Sequence, residues 1–286
     1  MVQLSNHTKL MNLLIGLCQE RPIPKWPNTL KNQQYQISLV DVNIPVSHPD
    51  IVFQNKHANH AIFVDCKSNT IKRKQVEKYD KIRKNPKTAV INGIITIIHE
   101  DHLKLDPVLC SFSDLSNNQI INEFNMLFLH VVESGKQYFE IKEIQLKKGE
   151  FSYSRINRVF PIDTSDSVPP YYLYPFDDND MELFSIAILQ YLQKFGLSGK
   201  RFTIDKLLEN CHKMWKFIDH KEIFRNKAQT ILTDLQKRGL KNLIRNRDEW
   251  YVDLKPDSKS HQAFQKKCIQ IERQISKKDY QEILIV

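Results

Sequence analysis

Two aspartates and a lysine lie in neighbouring apolar segments of the sequence. Asp50 opens one strand-like run, and Asp65 and Lys67 close the next, with Asp65 15 residues after Asp50. Because residues i and i+2 of a strand share a face, Asp65 and Lys67 are predicted to point the same way. The polar stretch Gln54–His60 between the two runs has the composition of a hairpin loop. Such a hairpin would bring Asp50 next to Asp65.

Paired carboxylates are ligands that Mg²⁺ prefers, and a lysine beside them suits the hydrolysis of a phosphodiester. We expect Asp50 and Asp65 to hold the cation, with the backbone carbonyl of Cys66 as a third oxygen. Mn²⁺ also accepts oxygen ligands and is expected to substitute. Lys67 would orient or deprotonate the attacking water and stabilise the developing charge.

The periodicity of the sequence indicates which elements position these residues. The predicted order is a helix, three strands, a helix and a further strand. The second helix ends before Pro86, because a residue that precedes proline is pushed out of the α region. The predicted segments are the helices Leu10–Cys18 and Lys72–Lys84 and the strands Tyr35–Asn43, Asp50–Phe53, Ala61–Cys66, Val90–Ile98, Met126–Val132 and Tyr138–Gln145.

A stretch rich in proline and aspartate divides the chain. Proline fixes φ and lacks a backbone donor, so the pair Pro169-Pro170 is excluded from helix interiors and central strands. We therefore predict a first domain over residues 1–160, a linker over 161–180, a second domain over 181–256 and a helical C-terminal tail over 257–286.

The pattern after the linker changes to helices. Helices are predicted at Met181–Phe195, Ile204–Cys211 and Lys221–Arg238, the last with a buried stripe at Phe224, Ala228, Ile231 and Leu235. A basic hairpin follows at Leu240–Leu254, and the helical part of the tail spans Lys259–Tyr280. Three helices and a basic hairpin predict a winged helix.

Basic charge is concentrated in the C-terminal third. The net charge is +9, and residues 181–286 hold 21 Lys/Arg against 13 Asp/Glu, whereas residues 1–180 hold 21 against 20. Such asymmetry favours a polyanionic partner, most commonly nucleic acid. The alternatives are a solvated lysine-rich surface and, for the winged helix, protein contacts. The expected DNA contacts are Lys72, Arg73, Lys74, Lys221, Arg225, Lys227, Arg245 and Arg247.

Five scattered cysteines, with no CxxC pair, are typical of a reducing compartment. No apolar run approaches the roughly 20 residues that cross a bilayer. We expect a cytoplasmic protein without a membrane partner.

The motifs resemble those of the PD-(D/E)xK superfamily of restriction-type nucleases, and above all its archaeal Holliday-junction-resolvase branch. Pro49-Asp50 stands for the PD motif, and Asp65-Cys66-Lys67-Ser68 stands for the [DE]xKS motif. The resemblance implies an α/β fold with a restriction-endonuclease-like mixed sheet flanked by helices. It implies a catalytic role for Gln75 on the following helix. It also implies an acidic metal ligand from the first helix, where Glu20 is the one acidic residue.

The resemblance further implies a Mg²⁺-dependent DNA endonuclease acting in transposition, restriction or antiphage defence, within a larger nucleoprotein complex and with a homodimer as an open possibility. The two-part plan is also similar to the nuclease subunit of heteromeric cut-and-paste transposases. Two alternatives stay open: a non-catalytic DNA-binding regulator built on a nuclease-like scaffold, and an assembly subunit that cuts only with a partner.

Overall fold

The chain divides into two compact units. The structure is a computed structural model that describes residues 4–20, 25–42, 47–96, 102–134, 140–170, 181–195, 199–212, 214–255 and 257–282. The first unit, which we call the sheet unit, is Asn6–Leu173 with the short segment Phe217–Asp219. The second, the helical unit, contains Tyr174–Lys216 and His220–Val286 together with Met1–Ser5. The main boundary therefore lies at residue 173, not at 160.

The described part of the sheet unit contains a mixed seven-stranded sheet whose strand order follows the chain. The third, fourth and fifth strands are parallel, and all other neighbours are antiparallel. The strands are β1 Gln36–Val40, β2 Ile51–Asn55, β3 His60–Lys67, β4 Lys104–Ser111, β5 Leu127–Glu133, β6 Ile141–Lys148 and β7 Ile162–Asp163.

Helices complete this mixed α/β unit. They are α1 Asn6–Gly16, α2 Thr29–Asn32, α3 Arg73–Lys84, α4 Lys87–Ile91, α5 Gln119–Glu123 and α6 Ser154–Asn157. Strands β2 and β3 are buried almost throughout, as expected for central strands covered on both faces. Val76 and Tyr79 of α3 pack in one apolar cluster with Leu109 of β4 and Phe128 of β5. This packing fixes α3 beside the end of β3.

The predicted hairpin is confirmed. Strands β2 and β3 pair antiparallel, with Ile51 opposite Val64 and Asn55 opposite His60. The predicted helix Lys72–Lys84 is confirmed as α3, which ends at Lys84, and Asn85 has a non-helical conformation before Pro86. Positions that differ by two in sequence share a face in β3, as the sequence analysis required.

The prediction of a strand at Val90–Ile98 is wrong. Residues up to Ile91 belong to the short helix α4, and Gly93 then turns the chain with a φ of +69°. The strand that lies parallel to β3 is β4, which the sequence analysis did not identify. It contains Pro107, which withholds a backbone donor, and the buried polar residue Asp106, so its pattern lacks the apolar run of a central strand. The predicted strand ends at Asn43 and Tyr138 fall outside the described residues.

The predicted linker is wrong in its first part. Ile162 and Asp163 form β7, which pairs with Ile144 and Glu143 of β6, and the next residue, Thr164, is buried. This part therefore belongs to the sheet unit. Residues 171–180 of the predicted linker lie outside the described part of the chain.

The helical unit has the predicted order of elements. Its described elements are α7 Met181–Phe195, β8 Phe202–Thr203, α8 Ile204–Cys211, α9 Lys221–Lys237, β9 Leu243–Asn246, β10 Glu249–Val252 and α10 Ser258–Glu282. The three strands form an antiparallel sheet in the order β8-β10-β9. The Thr203 hydroxyl caps α8 by accepting from the Lys206 amide at 3.2 Å. The predicted stripe on α9 is buried at all four positions.

The predicted tail is part of the helical unit. Helix α10 packs against α7, with the side chains of Phe264, Cys268 and Ile271 in the core. Its apolar residues recur at helical spacing, so this face requires a partner surface. Among the helices that the structure describes, none is long and apolar enough to cross a membrane.

A buried polar network holds the start of β3. The Tyr35 hydroxyl lies 2.6 Å from His60 Nδ1, and His60 Nε2 lies 2.8 Å from Asp106 Oδ2. The same carboxylate oxygen accepts from the amide and the hydroxyl of Ser152 at 2.7 and 3.0 Å. Asp106 therefore joins β3 and β4 to the segment before α6.

Replacing Asp106 by alanine leaves the buried ring of His60 without its acceptor. We expect Asp106→Ala to lower the free energy of unfolding by about 3 kcal/mol, because an unsatisfied buried donor keeps its full desolvation cost. The measurement is urea unfolding followed by circular dichroism. The exposed Asp166 provides the control, since Asp166→Ala should change stability by less than about 0.5 kcal/mol. Equal effects of the two substitutions would refute this role of Asp106.

Candidate active site

The β2–β3 hairpin brings Asp50 to Asp65. The amide of Asp50 donates to the carbonyl of Val64 at 2.8 Å, which places Asp50 beside the last residues of β3. Its carboxylate oxygen Oδ2 accepts from the amide of Cys66 at 2.5 Å. The Asp50 side chain thus reaches the backbone between Asp65 and Lys67, as the sequence predicted.

Lys67 joins this pair to helix α3. Its ammonium lies 2.8 Å from Asp65 Oδ2 and donates to Gln75 Oε1 at 2.8 Å. The four predicted catalytic residues, Asp50, Asp65, Lys67 and Gln75, therefore belong to one connected cluster. Lysine carries three N–H donors, so these two contacts leave at least one donor for a further group.

Burial separates the pKa values of the two carboxyl groups. Burial, together with the neighbouring charge of Asp50, raises the pKa of Asp65 to about 8. Burial also acts to raise the pKa of Asp50, but His7, the Cys66 amide and Lys67 outweigh it and lower that pKa. The side chain of Asp65 is 3% exposed and that of Asp50 is 18% exposed. Without a further cation, the raised pKa of Asp65 favours retention of its proton above the pH at which an exposed carboxyl group ionises.

Helix α1 contributes a histidine where an acid was expected. His7 Nε2 lies 3.1 Å from Asp50 Oδ1. The predicted ligand Glu20 is not in the site: its side chain is 76% exposed and pairs with Lys31 at 2.7 Å. The prediction of Glu20 is wrong because it follows the end of α1 rather than lying in it. The one signal for His7 is that the helix contains no acidic residue.

Tyr79 is a second residue that the sequence analysis missed. Its hydroxyl accepts from Gln75 Nε2 at 3.3 Å and donates to the carbonyl of His48 at 2.9 Å. These bonds orient the Gln75 amide with its oxygen toward Lys67. A detectable signal exists, since Tyr79 follows Gln75 by four residues and so shares its helix face.

The donor set fits a hard divalent cation with few protein ligands. No group of three or more His, Cys, Asp or Glu side chains able to hold a metal occurs in the described residues. Mg²⁺ is commonly bound by one or two carboxylates, with waters and substrate phosphate completing the shell. Asp65 Oδ2 is buried and accepts no well-directed hydrogen bond from the described residues, although the Lys67 ammonium is close. Cys66 contributes its amide to Asp50, and its carbonyl remains the expected third oxygen.

Comparison with known proteins assigns both parts of the chain. The family model described as the MJECL32 domain matches residues 6–174. The chain belongs to the MJECL32 domain family. A domain of unknown function, DUF8601, matches residues 177–282. The border between the two matches coincides with the division into a sheet unit and a helical unit.

A curated relative shares this similarity. It is described as "Uncharacterized protein MJECL32" of Methanocaldococcus jannaschii and is 30% identical over 216 residues, which are 68% of this chain and 47% of the relative. The chain thus spans about half the length of that protein. No solved structure matches the chain significantly. The MJECL32 domain contains every residue of the candidate site from His7 to Tyr79.

The basic residues predicted on α3 of the MJECL32 domain differ in availability. Lys72 and Lys74 are exposed. Arg73 instead binds both carboxylate oxygens of Glu123, and its guanidinium lies over the ring of Phe124. The structure therefore engages Arg73 within the domain, which disfavours the predicted contact with DNA.

Two groups of predicted DNA contacts exist outside the MJECL32 domain, in the helical unit. On α9, Arg225 donates to both oxygens of Asp205 at 2.7 and 3.0 Å, and the ammonium groups of Lys221 and Lys227 lie over aromatic rings. In the β9–β10 hairpin, Arg245 and Arg247 are exposed, and Arg245 Nε donates to the Arg247 carbonyl at 3.0 Å. The hairpin arginines are therefore the more available cations.

The raised pKa of Asp65 predicts a pH dependence of stability in the absence of metal. Between about pH 4 and 8 the folded protein keeps a proton that the unfolded chain has lost. The stability that Asp65 contributes is therefore complete below about pH 4 and is lost as the pH rises toward 8. Urea unfolding in EDTA across this range measures it. Asp65→Asn should flatten the profile, and parallel profiles for the two proteins would contradict the raised pKa.

Proposed function

We propose that this protein is a Mg²⁺-dependent DNA endonuclease that hydrolyses phosphodiester bonds, in transposition, restriction or antiphage defence. The observation that carries the proposal is the cluster of two carboxylates and one ammonium at the end of the β2–β3 hairpin. The restriction-endonuclease-like arrangement is supported by the order of elements around the site. Helices α1 and α2 precede three antiparallel strands, and helices α3 and α4 and the parallel strand β4 follow them.

Each side chain of the site has a separate role in the proposed hydrolysis. Mg²⁺ bound by Asp50 and Asp65 would neutralise the charge of the phosphodiester. Lys67 has at least one N–H donor left for the attacking water or a phosphate oxygen, where it stabilises developing negative charge. Gln75 holds the ammonium in place, and Tyr79 holds Gln75. The Cys66 amide keeps Asp50 turned toward Asp65.

The helical unit supports a second role, which is to recruit or orient DNA. Three helices followed by a hairpin, with β8 as a third strand, fit the winged-helix motif. The hairpin corresponds to the wing, and its exposed Arg245 and Arg247 suit contacts with phosphate.

One observation favours the alternative, a non-catalytic DNA-binding regulator. His7 and Lys67 already contact the two carboxylates, so the site has cationic partners without metal. In such a protein the cluster would stabilise the fold, and the helical unit would bind DNA.

Cleavage assays on the full chain separate the two functions. We expect Asp65→Ala and Lys67→Ala to lower the rate of DNA cleavage in Mg²⁺ by at least about 100-fold while DNA affinity is retained, because each removes a group that acts on the reacting phosphate. The readout is gel electrophoresis of plasmid, linear, branched and single-stranded substrates, with EDTA as the metal-free control. Lys84→Ala, on the exposed end of α3, controls for lost charge. Cleavage that persists in both site variants would sink the nuclease proposal.

Metal binding is measurable without catalysis. Mg²⁺ or Mn²⁺ at about 100 times its dissociation constant should stabilise the folded protein by about 2.7 kcal/mol, because the ion binds the native site alone. Asp50→Asn and Asp65→Asn should abolish the rise in melting temperature, whereas Asp166→Asn should retain it. A rise that survives in both site variants would place the cation elsewhere.

A further inference from the structure

Helix α3 carries three lysines on one side. Lys74, Lys78 and Lys81 are spaced at i, i+4 and i+7, so they lie within an arc of roughly 60° on the helix. We call these three residues the lysine row. Lys74 and Lys81 are exposed, and Lys78 is half-buried. The described residues give neither Lys74 nor Lys81 an acidic partner.

The other basic residues of α3 are each paired with an acid. Arg73 pairs with Glu123 of α5, and both Arg83 and Lys84 pair with Asp80 at 2.6 Å. Arg83 also donates to the carbonyls of Phe124 and Asn125 at 2.8 and 2.9 Å. Arg73 and Arg83 face α5 and the segment after it. One helix therefore has a side whose cations are paired with carboxylates and a side whose three lysines outnumber the neighbouring Glu77.

The lysine row runs alongside the candidate active site. Gln75, which contacts Lys67, follows Lys74 directly in the helix. Lys78 Nζ lies 3.4 Å from His48 Nε2, and His48 is two residues before Asp50. From Lys74 to Lys81 the row spans about 10 Å, at 1.5 Å per residue. That length matches about three nucleotides of one strand, at roughly 3.4 Å each.

We infer that the lysine row binds the phosphate backbone of a nucleic-acid strand that passes the site of Asp50, Asp65 and Lys67. The inference rests on the proposed function and deepens it, because it specifies the side of α3 along which the substrate runs. Ammonium groups act on phosphates as point charges and do not read bases. The row therefore positions the strand without selecting its sequence. Arg73 and Lys84, which are paired with Glu123 and Asp80, make no such contact.

Salt-dependent binding of the full chain tests this inference. Lys74→Ala/Lys81→Ala removes two charges from the row, and Arg73→Ala/Lys84→Ala removes two acid-paired charges from another side of the same helix. This control is stringent because the loss of Arg73 leaves Glu123 unpaired. The repulsion between Glu123 and a polyanion would by itself weaken binding of the control variant. Affinity is measured in EDTA over a range of salt by fluorescence anisotropy, with a labelled DNA single strand and its duplex as probes.

The row variant should lower the slope of log affinity against log salt by about 1.4 for the single strand, or by about 1.8 for the duplex, because two phosphate contacts no longer release counterions. The control variant should keep the wild-type slope. Equal slopes for the two variants, or a larger change in the control, would overturn the inference.

A parallel cleavage assay in Mg²⁺ distinguishes failure of this inference from failure of the proposed function. The row variant should raise KM and keep kcat, because it weakens binding away from the reacting phosphate. A row-dependent slope in a protein that cleaves none of the probes supports the row as a backbone contact and contradicts the proposal that this chain cleaves DNA by itself. The opposite result is cleavage that depends on Asp65 and Lys67, with equal salt slopes for the row and control variants. It would overturn the inference about the lysine row and leave the nuclease proposal standing.

Discussion

Asp50 and Asp65 are buried next to each other, with the ammonium of Lys67 2.8 Å from Asp65. Two ionised carboxylates in a poorly solvated place repel each other, although each has one cationic partner, Lys67 for Asp65 and His7 for Asp50. Burial and the charge of Asp50 still raise the pKa of Asp65, since a proton on Asp65 removes a buried charge and the repulsion. A divalent cation would also offset the repulsion and leave both carboxylates ionised. The proposed function depends on this need of two buried carboxylates for positive charge.

The neighbouring elements position the two carboxylates and supply the polar groups around them. The antiparallel pairing of β2 and β3 sets Asp50 beside the end of β3 and lets it accept from the Cys66 amide. Helix α3 is packed on β4 and β5 through its apolar residues, so Gln75 and Tyr79 are held at the site by the core. Helix α1 supplies His7. The lysine row continues positive charge outward from the same helix, which links the chemistry of the site to the path of a substrate.

The proximity of Asp50, Asp65 and Lys67 could be predicted from the sequence because it depends on local structure. Residues at i and i+2 of a strand share a face whatever the fold, and two apolar runs around a short polar loop pair as a hairpin. Strand β4 escapes prediction because Pro107 and Asp106 break its pattern, and their burial follows from the strands on either side. The pairing of Arg73 with Glu123, 50 residues away, is a tertiary contact that no spacing rule yields. The position of His7 in the site could not be predicted for the same reason. Strand β7 was missed because the prolines around it indicated a linker.

Crystals of the protein grown with Mn²⁺ offer the most direct test of the central claim, because anomalous scattering locates the ion without any assumption about activity. The account predicts an anomalous peak within coordination distance of the carboxylate oxygens of both Asp50 and Asp65. An ordered Mn²⁺ elsewhere, with Asp50 still paired to His7 and Asp65 to Lys67, would contradict it.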